Sequence, residues 1–227
     1  MLVVLEGLDG AGKSTQVKLL KEYLEKVCPS MDYIHFPRYD APVYGELIGK
    51  FLRGGFGSLD SVHPQLVALL FAEDRRDAAE LIKRTIEHGG TVLLDRYVYS
   101  NIAYQCAKLA DASEAEQLRE WIINTEYGHF ALPRPDVNIF LDVPIDFVRE
   151  SLSNHRSGND RNYLDGGEDI HEASIDFQKR VRDMYCRQAG LDPSFVRVDC
   201  SGPDGRMLPP RSIFQKVREV YESRKEN

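Results

Sequence analysis

The apolar run Leu2-Val3-Val4-Leu5 leads directly into Gly7-Leu8-Asp9-Gly10-Ala11-Gly12-Lys13-Ser14-Thr15, the pattern G-x-x-x-x-G-K-[ST] set between a strand and a helix. No other feature constrains the fold as strongly. Glycines let the chain curl until successive N–H groups converge on phosphate oxygens, and the helix that follows adds its positive end. Lys13 then reaches the β- and γ-phosphates, and the Ser14 hydroxyl is placed to hold Mg²⁺. Gly7 through Thr15 is thus read as the binding loop for a nucleoside triphosphate, with ATP as the expected ligand.

The remaining pattern fits the fold that such a loop requires. Strand-like runs recur at Leu2–Glu6, Tyr33–Phe36, Thr91–Asp95, Val137–Asp142 and Phe195–Asp199, each short and apolar, as strands buried on both faces should be. Helical patterns lie between them. Leu20, Leu24 and Val27 share a face behind the loop, and Pro64 opens a long helix reaching about His88. Ser113-Glu114-Ala115-Glu116 has the capping-box form, Pro144 opens a further helix, and Gly190 is expected to close one near residue 189. Alternating strands and helices predict an α/β, three-layer P-loop NTPase fold: a five-stranded parallel sheet flanked by helices, in a single domain over 1–227. The polar, Gly-containing segment 154–169 is expected to be a mobile lid. Residues 201–212 are expected to form an exposed loop, and Lys225-Glu226-Asn227 a frayed end.

Charge and cysteine content narrow the function. A formal net charge of −7 repels nucleic acid and anionic lipid, so an anionic substrate needs locally placed Arg, Lys and backbone N–H groups. The four cysteines have no C-x-x-C spacing and read as reduced thiols. The chain opens straight into a strand, and no apolar run approaches about 18 residues, which predicts a soluble, cytoplasmic protein with no membrane partner.

Switches, mechanical ATPases and small-molecule kinases all carry this loop, and other residues choose among them. Asp9 sits close to bound phosphates, so it either points outward, at a Mg²⁺-bound water or a second substrate's hydroxyl, or merely orders the turn. Thr91-Val92-Leu93-Leu94-Asp95 ends a buried strand in a carboxylate, which puts Asp95 near Ser14 as the acidic metal group, with Arg96 immediately after it. Phe71 and Arg75 are four apart in one helix, where a ring and a guanidinium can stack a base and donate to its carbonyl. The chain contains no N-K-x-D motif of the kind that reads a GTPase base, which argues against a switch.

Four stretches in order, Phe36-Pro37-Arg38-Tyr39, Leu70-Phe71-Ala72-Glu73-Asp74-Arg75, Asp95-Arg96-Tyr97 with Ser100-Asn101, and Tyr104, together with the phosphate loop, make the chain resemble the thymidylate kinases over nearly its whole length. The resemblance implies transfer of the γ-phosphoryl group of ATP to dTMP, giving dTDP and ADP, in dTTP biosynthesis. It implies that Phe71 stacks on thymine, Arg75 donates to O4, and Asn101 contacts the base edge. Arg38 and Arg96 would hold the acceptor phosphate, with Tyr39 in the same acceptor site. Asp9 would approach the sugar 3′-hydroxyl, Tyr104 would crowd the 2′ position, and Asp95 would hold Mg²⁺ through water. Some members carry an arginine where Gly10 stands. Here that role would fall to Arg156 or Arg161 of the lid, so Lys13, Asp9, Arg96, Arg156 and Arg161 form the expected catalytic set. The resemblance also implies a homodimer. The alternative activity is a kinase of another nucleoside monophosphate or of a deoxynucleoside.

Overall fold

The computed structural model describes residues 1–153, 164, 169–172 and 174–225. Five strands, β1 (Leu2–Gly7), β2 (Met31–His35), β3 (Thr91–Asp95), β4 (Val137–Asp142) and β5 (Phe195–Asp199), form one all-parallel sheet in the order β2-β3-β1-β4-β5. The three central strands are buried at every position, which is why they read as unbroken apolar runs. The two outer strands depart from the expected burial on both faces. They are only partly buried, with Tyr33 38% exposed, because an edge strand has a neighbour on one side only. The second strand also begins two residues earlier than its apolar content suggests and ends before Phe36.

Two groups of helices sandwich the sheet. On one side α1 (Lys13–Val27) packs with α8 (Pro210–Lys225); on the other, α3 (Pro64–Glu87), α4 (Val98–Cys106) and α7 (Ile175–Leu191) pack together. The short helix α2 (Tyr44–Leu52) lies on α3, α5 (Ala112–Ile123) lies on α4, and α6 (Ile145–Ser153) follows β4. Leu20 and Leu24 of α1 are fully buried, whereas Val27, the last helical residue, is 39% exposed beyond the core. Burial of each such leucine contributes roughly 1.5–3 kcal/mol.

Several local expectations are corrected. The cap of α5 is Asp111, whose carboxylate accepts from the N–H groups of Ser113 and Glu114 at 2.8 and 2.9 Å; Ser113 lies inside the helix. Gly190 does not close α7, because it lacks the left-handed conformation that would end a helix; the chain leaves at Asp192 in an extended conformation. Residues 201–212 are not all loop: Ser201 and Met207 pair in an antiparallel bridge, and α8 starts at Pro210. Most of 154–169, including Arg156 and Arg161, lies outside the described residues, as do 226 and 227 of the expected frayed end. Of the 154–169 segment, Leu164 and Asp169 are described, and both are buried.

All strands end at the same rim. Loops after β1 and β4 leave in opposite directions because β1 has the β2–β3 pair on one side and the β4–β5 pair on the other. In open α/β sheets ligands bind at that divergence.

Candidate active site

The loop between β1 and α1 holds Gly10 at φ 74° and Gly12 at φ 71°, left-handed conformations that glycine adopts at little cost. Gly12 caps α1, Lys13 is its first residue, and Ser14 and Thr15 stand exposed in the first turn. A side chain at Gly10 would also meet Ser151 of α6, whose Oγ lies 3.1 Å from the Cβ position. That approach, added to the positive φ, accounts for a glycine at this position.

Lys13 Nζ contacts the Asp95 carboxylate at the end of β3, and His35 Nδ1 lies 3.1 Å from its other oxygen. Strand register brings these groups together, since both Leu5 and His35 pair with Asp95 across the sheet. Burial pushes the Lys13 ammonium down from its ordinary pKa, against the pull of Asp95. Burial alone would raise Asp95, but the Lys13 and His35 contacts outweigh it and hold the carboxyl far below the usual range. Asp95 therefore stays ionised.

The residue after it, Arg96, has φ 69°, which turns its side chain back across the rim. Its guanidinium donates to Gly7 O at 2.8 Å, Ser100 Oγ at 3.2 Å, Tyr104 Oη at 3.2 Å and Asp9 Oδ1 at 2.6 Å. The Tyr104 hydroxyl donates to Asp9 Oδ2 at 2.8 Å, and Gln178 Nε2 reaches the same oxygen at 3.2 Å. Asp9 is thus held by Arg96, Tyr104 and Gln178. Beneath this layer lies Glu6, fully buried. It accepts from the backbone N–H of Tyr97 at 2.9 Å and of Ser100 at 3.1 Å, and from the Tyr185 hydroxyl at 3.0 Å. Burial raises its pKa, with Ser100 pulling the other way.

A cleft of about 520 Å³ opens in front of these groups. It brings together Asp9, Tyr39, Phe71, Arg75, Arg96, Asn101 and Tyr104 of the expected acceptor set. Arg75 is held by a two-point ion pair with Glu126, at 2.5 and 2.7 Å, and both residues are buried. Desolvation would lower Arg75, but the Glu126 charge more than offsets it. Asn101 Nδ2 donates to the same Glu126 at 2.8 Å and to Ala68 O at 2.9 Å, which turns its carbonyl oxygen away; that Oδ1 is buried with no hydrogen-bond partner. Arg38 is not brought to the cleft wall. It is tied to α3 through Asp74, at 2.9 Å from both its N–H and its Nε, and through Asp77 at 2.7 Å.

Sequence reasoning missed Glu126, Gln105, Asp169, His171 and Gln178. Glu126 lies in a π-helical turn, Asn124–His129, whose irregular geometry points it inward and which has no period to read. Gln105 sits one turn beyond Asn101 on α4, and its Oε1 is likewise buried without a partner. His171 lines the cleft from the segment before α7. Burial, then the neighbouring Lys108, keeps its pKa well below the ordinary value. Lys108 Nζ is itself buried without a hydrogen-bond partner, 4.8 Å over the Phe51 ring, and burial lowers it to about 7.

The donors available for a metal are hard oxygens, the Asp95 carboxylate and the Ser14 hydroxyl, which suit Mg²⁺. Among the described residues no group of three or more His, Cys, Asp or Glu could hold a metal by itself.

A five-stranded parallel sheet whose first turn is a glycine-rich loop with Lys13 at the helix start, facing a second cleft lined by arginine and aromatic side chains, defines a P-loop phosphotransferase. Comparisons with known proteins narrow that class. The family model described as "Thymidylate kinase" matches residues 5–206. A probable thymidylate kinase of Thermococcus kodakarensis is 37% identical over 204 residues, covering 88% of this chain and 89% of the relative. The thymidylate kinase of Mycobacterium tuberculosis H37Rv is 33% identical over 189 residues, covering 83% and 86%. The solved structure of thymidylate kinase from Candida albicans superposes with a TM-score of 0.74 at 28% identity, over 99% of this chain and 92% of that one. The chain belongs to the thymidylate kinase family.

Proposed function

We propose that this chain transfers the γ-phosphoryl group of ATP to the 5′-phosphate of dTMP, giving dTDP and ADP, as a step of dTTP biosynthesis. One observation carries the reading. The Glu126-held Arg75 and Asn101 line the same cleft as Phe71, Arg96 and Asp9 of the phosphate loop. Phe71 supplies a stacking surface for a base, Arg75 a fixed donor for its O4, and Asn101 an unsatisfied carbonyl for a ring N–H. Tyr104 crowds the 2′ position, with Asp9 beside the sugar. Arg96 attracts the acceptor phosphate and Tyr39 lines the cleft, while Arg38 would have to leave Asp74 and Asp77 to join them.

A phosphate monoester is mostly dianionic at neutral pH, since its second pKa is about 6, so the reaction needs no general base. What the chain must supply is in-line positioning and positive charge. The loop amides and Lys13 do this for the triphosphate, and Arg96 does it for the acceptor. Ser14, and Asp95 through water, would hold Mg²⁺, which would neutralise phosphate charge there. Arg156 and Arg161 are the candidates for a further arginine on the transferring group.

The chain works as a single domain and a homodimer in the cytoplasm. Exposed Leu47 on α2, Leu66 and Leu81 on the adjoining α3, and Val43 just ahead of α2 offer apolar surface for a second copy. No helix among the described residues is long and apolar enough to cross a membrane, and the charge of −7 disfavours nucleic acid as a partner. The test is ADP production with and without dTMP, alongside dUMP, dCMP and AMP as acceptors. Stimulation by dTMP well above AMP is expected. Equal stimulation by AMP would refute the thymine reading.

A further inference from the structure

The carboxylate of Glu6 has no role in the reading above, although it is fully buried near the end of β1, beneath Arg96. Its two oxygens serve different partners. Oε1 accepts from the backbone N–H groups of Tyr97 and Ser100, at 2.9 and 3.1 Å, and so fixes the turn that follows Arg96. Oε2 accepts from the hydroxyls of Ser100 and Tyr185, the latter at 3.0 Å. Arg96 Nη1 donates to those same two hydroxyls, at 3.2 and 3.5 Å. Three elements therefore meet under the guanidinium: β1 through Glu6, α4 through Ser100 and α7 through Tyr185. The buried Tyr185 ring stacks on Phe140 with centroids 4.7 Å apart, which fixes its hydroxyl in place.

Donor counting sets the direction of each bond. A hydroxyl has one hydrogen and two lone pairs, a carboxylate only lone pairs, and a guanidinium only hydrogens. The two hydroxyls lie 2.7 Å apart. Their hydrogens go either both to Glu6, or one to Glu6 and one to the neighbouring hydroxyl. Either way, lone pairs are left for Arg96. Burial favours the neutral form of Glu6, while Ser100, Arg96, Tyr185 and Tyr97 all favour the ionised one. An amide here could not serve both sides. With its oxygen on the two backbone N–H groups, its NH₂ would face the hydroxyls and turn their hydrogens toward Arg96, donor against donor. Arg96 has φ 69°, a backbone conformation that persists only where surrounding contacts enforce it. We propose that Glu6 is a positioning residue for the acceptor phosphate, orienting Arg96 toward the cleft through the Ser100 and Tyr185 hydroxyls. The inference rests on the dTMP-kinase reading above, in which Arg96 holds that phosphate.

The test measures KM for dTMP and for ATP in the wild-type chain, Glu6→Gln, Tyr185→Phe and the double variant. Glu6→Gln is expected to raise the KM for dTMP about tenfold and to leave that for ATP within about twofold. Tyr185→Phe, which keeps the stacked ring, is expected to raise the KM for dTMP about threefold by itself. In the Glu6→Gln background it should add nothing, because the hydroxyl it removes no longer accepts from Arg96. A residue that only fills the core would move both KM values alike, and its effect would multiply with that of Tyr185→Phe. Multiplied losses, an unchanged KM for dTMP in Glu6→Gln, or equal rises for dTMP and ATP overturn the proposal and leave the kinase reading intact. If Glu6→Gln does not fold, Ser100→Ala combined with Tyr185→Phe removes the hydroxyls while Glu6 keeps its backbone bonds. An unchanged KM for dTMP in that variant overturns the proposal equally. A wild-type chain with no dTMP-dependent ADP formation overturns the kinase reading, and the role of Glu6 falls with it.

Discussion

Two side chains make this site sensitive to single substitutions. Arg75 and Glu126 are both buried and hold each other by two hydrogen bonds, so removing one partner strands the other's charge. Glu126→Ala is expected to lower unfolding stability by about 3–5 kcal/mol in a denaturant titration. Replacing both with Met should recover most of that stability without recovering dTMP affinity. If the double variant binds dTMP normally, Arg75 does not read the base. Lys108 gives a pH-dependent case. Burial favours its neutral form and brings the folded-state value to about 7 from an ordinary 10.5, so below pH 7 both states are protonated and the folded state bears the full burial cost. Between about 7 and 10.5 the unfolded chain binds more protons, and stability from this group rises with pH. Lys108→Met should therefore raise Tm by a few degrees, roughly 3 °C or more below pH 7, with the gap closing as pH approaches 10.5. A gap that does not change with pH would rule out this account.

At the level of helices and strands, Asp111→Ala should cost about 1 kcal/mol as a lost cap, while Ser113→Ala should cost far less. Comparing the two midpoints in urea decides between the caps. The sequence could suggest either residue, because Asp and Ser both accept from helix N–H groups and only the start of the turn discriminates. Legibility followed the same physics elsewhere. The central strands were readable because a strand covered on both faces must be apolar throughout, and the glycine-rich loop because left-handed backbone and close phosphate approach leave few residue choices. The short α2 and α4 gave little period to find, and nine-residue α4 is buried all round. Phe71 and Arg75 could be paired by helical spacing alone. Their partner Glu126, distant in sequence and carried on a π-helical turn, could not, and neither could the place of His171 at the cleft, which only packing reveals.

For the whole molecule, the exposed leucines of α3 are the place to test assembly. Leu66 is 63% exposed, so Leu66→Glu combined with Leu81→Glu should leave folding nearly unchanged yet shift the chain to monomer in sedimentation. A variant that still sediments as a dimer would place the interface elsewhere. One feature of the rim reaches further. Among the strand-to-helix turns that open there are those from β1 into α1 and from β3 into α4, whose first-turn amides are of the sort that attract anions. Glu6 plugs the second from inside, occupying the amides of Tyr97 and Ser100 with a carboxylate the fold itself provides. With the β3–α4 amides occupied from within, that turn is closed to a polyphosphate tail, and on the proposed reading such a tail is steered to the β1–α1 loop.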